Sequence, residues 1–365
     1  MRDPLFASSL ARLAQEFKRS DASVLAVLQV GSQAVDLDTP TSDADLLAIV
    51  SRDVFEHDFV DVDDVVVDIT VIGEQRLDAM WDRVTGRWDS ENYAALYEER
   101  SALSLLGRVH TGRVLKGDDV VAAVRERMPA ARLSRALQIH FAIRAATFAR
   151  DAVGGLLGED LETADDTSAA SAKLVAQMML AASGDLYFGD KFTRRRLERN
   201  EALAPIAGVI REAIQPNLTP SHESVEHRLQ ITAALSAFVS LYAPDGDLDR
   251  ESSSDFGRRL AAAQSVSWHA SGSVIVPLDD GLYIAGTHNV VMDAPHVVAW
   301  FSRLIDSGDF PAELTASEMA GIDPAERLEL VRAVDDEQES YESVSIDEEQ
   351  LGLVAERVDG SGSRL

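Results

Sequence analysis

The segment GSQAVDLDTPTSDADLLAIV, residues 31–50, decides how the N-terminal part of the chain folds. The apolar run SVLAVLQV precedes it, and its own last residues, LLAIV, form a second apolar run. Short apolar runs bounded by Gly, Pro, Thr and Ser are typical of buried β-strands. We therefore predict one strand over 23–32 that ends in a Gly-Ser turn, a loop around Pro40, and a second strand over 43–50.

Two aspartates mark the start of the second strand. Asp43 and Asp45 are two residues apart, so on a strand their side chains point to the same face. A third carboxylate, Asp68, lies inside the β-branched run VVVDITVI, residues 65–72, which predicts a third strand. If the second and third strands are neighbours, the three carboxylates converge.

Converging carboxylates predict a metal site. Two like charges that lie close together are costly unless a cation sits between them. A divalent ion with oxygen ligands meets this need, and Mg²⁺ is the usual one. Next to such a site, Gly31 lets the backbone approach phosphates closely, and the Ser32 hydroxyl can donate to phosphate oxygens. The pattern therefore favours phosphoryl transfer, in which two metal ions about 3.5–4 Å apart hold the reacting groups in line.

These residues resemble the nucleotidyltransferase superfamily of DNA polymerase β. The pattern there is an apolar strand, Gly-Ser or Gly-Gly, a short spacer, Asp-x-Asp and another apolar strand, and the segment matches it, including Ser42 before the first aspartate. The chain looks most like the small-molecule branch, the aminoglycoside and lincosamide enzymes, which join this domain to a helical bundle. MMLAASGDLYFGDKFTRRRLER, residues 178–199, resembles a bundle helix of such relatives, with Phe192 in place of the usual tryptophan.

The resemblance implies an activity: Mg²⁺-dependent transfer of a nucleoside monophosphate, AMP from ATP, to a hydroxyl, with release of pyrophosphate. Asp43 and Asp45 would bind both metal ions, and Asp68 would bind the ion next to the attacking hydroxyl. Either Asp68 itself or a separate glutamate, Glu98 or Glu99, would be the general base.

The remaining candidate residues would contact the nucleotide. They are Gly31, Ser32 and Ser42 at the strand ends, together with two lysines of the helical region, Lys191 and Lys173. An ammonium group near the phosphates would stabilise the charge that develops on the leaving group. The run Arg194-Arg195-Arg196 is a further candidate for nucleotide contact, or else for pairing with nearby acids.

The pattern of apolar residues predicts an α+β protein with roughly two or three domains. An N-terminal catalytic domain, 1–115, starts with a helix over 4–20. A helical bundle over 118–243 follows, with helix starts at Asp166-Thr167-Ser168 and at Thr219-Pro220. A linker over 244–255 leads to a small α+β domain over 256–335, loosely like a winged helix, with a hairpin at Asp280-Gly281 and helices over 294–306 and 323–334. Residues 336–365 form an acidic tail.

Composition restricts the partners. The net charge of −28 disfavours general nucleic-acid binding and would suit a small cationic acceptor. The chain has no cysteine, no apolar run long enough for a membrane span and no signal peptide at its start, so we expect a cytoplasmic protein. Two other functions stay open: transfer to a protein or a tRNA, as in toxin–antitoxin relatives, and a non-catalytic protein that binds a nucleotide. The sequence does not indicate the oligomeric state.

Overall fold

The structure is a computed structural model, and it describes residues 23–39, 42–62, 65–86, 88, 92–243, 246–262, 274–278, 281–285 and 290–292. All of these residues belong to one compact unit of the chain, residues 1–321. Three predictions lie outside the described residues: the helix over 4–20, the C-terminal helices over 294–306 and 323–334, and the acidic tail. The division into domains also stays a prediction.

The order of elements confirms the α+β class. Eight strands are present in the described residues: β1 Val24–Val30, β2 Ala44–Val50, β3 Phe55–Val62, β4 Val65–Gly73, β5 Arg113–Lys116, β6 Val274–Leu278, β7 Gly281–Ala285 and β8 Val290–Met292. The helices in the same residues are α1 Gly31–Ala34, α2 Glu74–Val84, α3 Arg100–Thr111, α4 Asp118–Arg127, α5 Ala130–Leu157, α6 Leu161–Ala182, α7 Thr193–Arg199, α8 Ala207–Ala213, α9 His222–Tyr242 and α10 Arg250–Ala262. A 3-10 helix spans Tyr93–Tyr97.

The first five strands form one mixed sheet in the order β3-β4-β2-β1-β5. β2 and β4 run parallel, and the other neighbours are antiparallel. This confirms that the strands predicted over 43–50 and 65–72 are neighbours. β3 and β5 were not predicted, because both are edge strands that lack a continuous apolar run. On β3, the large side chains of Phe55 and Phe59 are exposed.

The middle of the sheet is buried on both faces. Alternate residues of β2, such as Leu46 and Ala48, join residues of β1 and β4 in one apolar cluster. The intervening residues Leu47 and Ile49 are also fully buried. A polar side chain on such a strand therefore occurs only at its end, and this is where Asp45 lies.

The region over 118–243 is helical, as predicted. Its two longest helices, α5 and α6, are joined by only three residues, 158–160. A β-carbon on Gly155 would lie 2.9 Å from the Ala164 nitrogen, so the glycine permits the close approach of these helices.

The helix starts predicted at Asp166-Thr167-Ser168 and at Thr219-Pro220 were wrong. Asp160 caps α6 by accepting from the Thr163 amide at 3.1 Å, and Ser221 caps α9 with a capping box.

The C-terminal strands form a second sheet, in the order β6-β7-β8. Leu278 pairs with Gly281 across β6 and β7, which confirms the predicted hairpin. β6 is buried and packs on the helical region: the Ile275 amide donates to Ser236 Oγ at 3.0 Å, and Arg135 donates to the Leu278 carbonyl at 2.8 Å. Part of the predicted linker is helical, since α10 begins at Arg250. None of the helices in the described ranges is long and apolar enough to span a bilayer.

Candidate active site

The site is built on the turn at the end of β1. Gly31 has a φ of +71°, a left-handed conformation that glycine adopts without steric cost. A β-carbon on Gly31 would overlap the carboxylate of Asp45, which lies across from Val30 in the neighbouring strand. The glycine therefore serves two purposes: it permits the turn, and it leaves room for an acidic side chain directly against the backbone.

The buried side chain of Gln33 holds this turn to the strand that follows. Its amide nitrogen donates to the Asp43 carbonyl at 3.0 Å and to the Ser42 carbonyl at 3.3 Å, and its oxygen accepts from Gln29 at 3.0 Å. These bonds fix the backbone that precedes β2 next to the Gly31-Ser32 turn. Sequence reasoning missed Gln33, because a glutamine after a Gly-Ser turn is not distinctive.

The parallel pairing of β2 and β4 places Asp45 opposite Asp68 in register. The two side chains therefore share one face of the sheet. Burial is the main cause that raises the pKa of Asp45 to about 6. Arg108 opposes this rise, whereas the negative charges of Asp68 and Asp43 add to it.

Asp68 has a close partner in the structure. His57 Nε2 on β3 lies 2.7 Å from Asp68 Oδ1, although the two groups are not aligned as a hydrogen bond. Asp68 lies beside Asp45 in the sheet, and it is not among the residues that line the cleft described next.

An open cleft of ≈ 210 Å³ lies over the turn. One wall comes from the strand ends of the sheet, and the other comes from α3 and from the segment between α6 and α7. The cleft is lined by Gly31, Ser32, Ser42, Asp43, Asp45, Arg108, Thr111, Tyr187, Phe188, Lys191 and Phe192.

Six of the predicted site residues thus line one cleft: Gly31, Ser32, Ser42, Asp43, Asp45 and Lys191. Lys173 does not line it, and its ammonium instead donates to Asp190 at 3.0 Å. The two glutamates considered as general base are also outside it: Glu98 is exposed, and Glu99 accepts from Arg83 at 2.9 Å.

The arginine run has mainly structural contacts. Arg196 is buried and donates to Asp185 at 2.9 Å and to Gln177 at 2.6 Å, within the helical region. Arg195 donates to the Leu37 carbonyl at 2.7 Å, and Arg199 donates to the Asp36 carbonyl at 2.9 Å. α7 therefore holds the loop that follows the Gly31-Ser32 turn.

Arg108, Thr111 and Phe188 line the cleft but were not proposed from the sequence as site residues. Arg108 and Thr111 lie three residues apart in the last turn of α3, which puts them on one helix face. Their spacing is common on ordinary solvent-exposed helices, so the sequence carried no signal for them.

The carboxylates of the cleft are suitable ligands for Mg²⁺. No group of three or more His, Asp or Glu side chains in the described part of the chain is already arranged to hold an ion. Mg²⁺, however, is usually bound through one or two carboxylates together with substrate phosphates and water. Asp43 and Asp45 supply two such carboxylates in one cleft. Gly31, which carries no side chain, leaves the room that the Asp45 carboxylate needs beside the turn.

No family model and no curated protein matches the sequence. Structure comparison finds similarity to a nucleotidyltransferase-like protein from Exiguobacterium sibiricum, with 11% identity and a TM-score of 0.37. The match covers 64% of this chain and 78% of that chain. Similarity at this level assigns no function, which has to be inferred from the residues of the cleft.

Proposed function

We propose that this protein is a Mg²⁺-dependent nucleotidyltransferase that moves a nucleoside monophosphate, AMP from ATP, to a hydroxyl group of a small acceptor. One observation carries the proposal: Asp43 and Asp45 share a cleft with the Gly31-Ser32 turn, and Asp68 is the register partner of Asp45. Carboxylates that face a glycine turn suit a ligand that combines a divalent cation with phosphate.

Each part of the cleft has a role in this reaction. Asp43 and Asp45 would hold Mg²⁺, which supplies charge neutralisation for the triphosphate and lowers the pKa of the acceptor hydroxyl. The Ser32 hydroxyl would donate to a phosphate oxygen, and Gly31, without a side chain, would keep the Asp45 carboxylate close to the turn that binds the phosphates. Lys191, which is exposed on the opposite wall, would compensate charge on the leaving pyrophosphate.

The chemical step is a displacement at the α-phosphorus. The acceptor oxygen forms a bond to the α-phosphorus, the bond to the bridging oxygen breaks, and pyrophosphate leaves with that electron pair. The acceptor proton would pass to Asp68, which is the register partner of Asp45 although it does not line the cleft. For this role the Asp68 carboxylate has to exchange its contact with His57 for one with the acceptor.

The acceptor we propose is small and cationic, of the aminoglycoside class. The net charge of −28 and the exposed Asp43 carboxylate at the cleft support a positively charged ligand. The negative net charge of the protein disfavours a tRNA acceptor, because the phosphate backbone of tRNA is also negative. Chemistry of this kind on an aminoglycoside would confer antibiotic resistance, and a cytoplasmic location would fit the use of ATP.

The test is pyrophosphate release from each of the four nucleoside triphosphates, with Mg²⁺ and with EDTA. The acceptor panel contains aminoglycosides, other polyols, a protein mixture and tRNA. Asp45→Asn should reduce release by about 10²-fold or more, a loss typical of a removed transition-state contact. Asp58→Asn is the matched control, because Asp58 is an exposed aspartate of the same sheet that lies outside the cleft.

Two outcomes would contradict the proposal. The first is wild-type release by the Asp45→Asn variant. The second is the absence of Mg²⁺-dependent release by the wild-type protein over the whole panel, which would favour a non-catalytic protein that binds a nucleotide. Release that depends on tRNA or on a protein would keep the chemistry and replace the acceptor.

A further inference from the structure

The last turn of α3, which forms part of one wall of the cleft, lies between β1 and the segment that follows α6. A β-carbon on Gly107 would lie 2.7 Å from the Leu186 carbonyl oxygen, so α3 contacts the segment that carries Tyr187 and Phe188. A β-carbon on Gly112 would lie 3.0 Å from the Leu28 side chain, so the end of α3 also contacts β1. Gly107 and Gly112 thus permit the last turn of α3 to pack closely beside the Gly31-Ser32 turn.

Arg108 projects from this turn into the cleft. It is half-buried, lines the cleft together with Thr111, and its positive charge favours the ionised form of Asp45. Within the described ranges of the chain, the Arg108 guanidinium donates no hydrogen bond to protein. This sets it apart from Arg195 and Arg196, whose guanidinium groups are bound to carbonyl or carboxylate oxygens.

We propose that Arg108 is a further nucleotide-binding residue of this cleft, whose guanidinium binds phosphate oxygens of the nucleotide. The inference rests on the proposed function. A guanidinium offers five N–H donors in a planar fork that matches phosphate geometry, whereas an ammonium acts as a point charge. Arg108 also offsets the partial negative charge at the C-terminal end of α3, which would otherwise repel a phosphate.

Charge explains how Arg108 can serve both Asp45 and a nucleotide. In the absence of ligands, Arg108 is the residue of the cleft whose positive charge lowers the pKa of Asp45. Once a bound cation compensates Asp45, the guanidinium donors are available to the phosphates. If Arg108 only compensated the charge of Asp45, its mutation would leave the affinity for the nucleotide unchanged or increase it. If Arg108 binds phosphate, the same mutation decreases this affinity, so the two roles can be separated.

The experiment measures two affinities without turnover. Binding of Mn²⁺ alone is followed by electron paramagnetic resonance, and binding of a non-hydrolysable ATP analogue with Mg²⁺ is followed by calorimetry. The variants are Arg108→Gln and Arg108→Lys. Arg100→Gln is the matched control, because Arg100 is exposed in the first turn of the same helix and lies outside the cleft.

Arg108→Gln should weaken binding of the analogue by about 10- to 100-fold, as expected for lost charge-assisted hydrogen bonds. Arg108→Lys should lie between this variant and the wild type. Mn²⁺ should bind at least as tightly to Arg108→Gln as to the wild type, because a repelling charge has been removed. A residue that only compensates Asp45 would instead leave the affinity for the analogue unchanged or increase it.

The outcomes separate this inference from the proposed function. If Arg108→Gln binds the analogue as tightly as Arg100→Gln while the wild type releases pyrophosphate, the inference is wrong and the proposed function stands. If the wild type binds the analogue through Arg108 but transfers nothing to any acceptor, the inference stands and the proposed function is wrong. A wild-type protein that does not bind the analogue would overturn the inference.

Discussion

The Asp45 carboxylate lies in the space that a β-carbon on Gly31 would occupy. The two residues are in neighbouring antiparallel strands, where Asp45 pairs with Val30, the residue before Gly31. Because Gly31 has no side chain, the Asp45 carboxylate can lie directly against the start of the turn.

We predict that Gly31→Ala abolishes activity and lowers the free energy of unfolding by about 1–3 kcal/mol, since alanine is strained at positive φ and its methyl group would displace Asp45. Chemical denaturation and pyrophosphate release test this prediction. Gly184→Ala is the control: Gly184 has a φ of +83°, but a β-carbon there would meet nothing within 4 Å. That variant should carry only the backbone strain and keep its activity. Equal activity of the two variants would contradict the role of the space at Gly31.

Asp45→Asn should stabilise the metal-free protein at neutral pH while it removes activity. Burial raises the pKa of Asp45 from 3.8 to about 6, so the folded state binds a proton more tightly than the unfolded state does. The contribution of Asp45 to stability is therefore greatest below pH 4 and is lost as the pH rises through 6. Asparagine avoids this loss, which amounts to up to about 3 kcal/mol at pH 7.

Thermal unfolding of wild type and Asp45→Asn in EDTA, at pH 4 and pH 7, checks this prediction. The variant should be more stable at pH 7, and the two proteins should be similar at pH 4. A variant that is less stable at pH 7 would show that the ionised carboxylate is well compensated in the cleft.

The contacts of α7 with the loop after the Gly31-Ser32 turn predict a local effect of mutation. Arg195→Gln combined with Arg199→Gln removes donors to the carbonyls of Leu37 and Asp36. We expect faster amide hydrogen exchange over residues 35–39 and a higher KM for the nucleotide, with a loss of global stability of about 1–2 kcal/mol.

Arg194→Gln is the control for this pair, because Arg194 is an exposed neighbour in the same run. Mass spectrometry of exchanged peptides measures the effect in residues 35–39. Unchanged exchange in the double variant would mean that the loop is held by its own contacts, such as the bond from the Leu37 amide to the Ser32 carbonyl at 2.9 Å.

His140 should make the protein less stable in mild acid. It is fully buried, and its Nδ1 lies 2.9 Å from the Leu96 carbonyl oxygen, which can only accept, so Nδ1 carries the hydrogen. Burial lowers the pKa of His140 from 6.5 to about 4. The unfolded state therefore binds a proton that the folded state does not, and stability falls as the pH drops from 6.5 to 4, by up to about 3 kcal/mol.

An NMR titration of the imidazole, together with urea unfolding across this pH range, tests the prediction. The His140 signal should titrate near pH 4, and His140→Gln should reduce the slope of stability against pH. A midpoint near 6.5 would contradict the prediction, because it would mean that the charged imidazole is accommodated in the core.

Much of the carboxylate-bearing part of the sheet could be predicted from local patterns. Alternation along a strand predicted that Asp43 and Asp45 share one face, and although β2 begins only at Ala44, both line the same cleft. A β-branched run predicted β4, the strand that carries Asp68. Their parallel pairing, with Asp45 opposite Asp68, confirmed the predicted adjacency. The solvated edge strand β3 escaped prediction because its exposed side chains leave no apolar run.

The sequence alone determined the buried strands β1, β2 and β4 and the helical character of residues 118–243, because these properties depend on neighbours within a few residues. Only the tertiary structure decided what stands opposite the carboxylates. It places Lys191 in the cleft and Lys173 outside it, and it brings Arg108 from α3 toward Asp45. The physical reason is that such contacts depend on how closely a helix packs against other segments, as at Gly107 against Leu186, and this packing joins residues far apart in the chain.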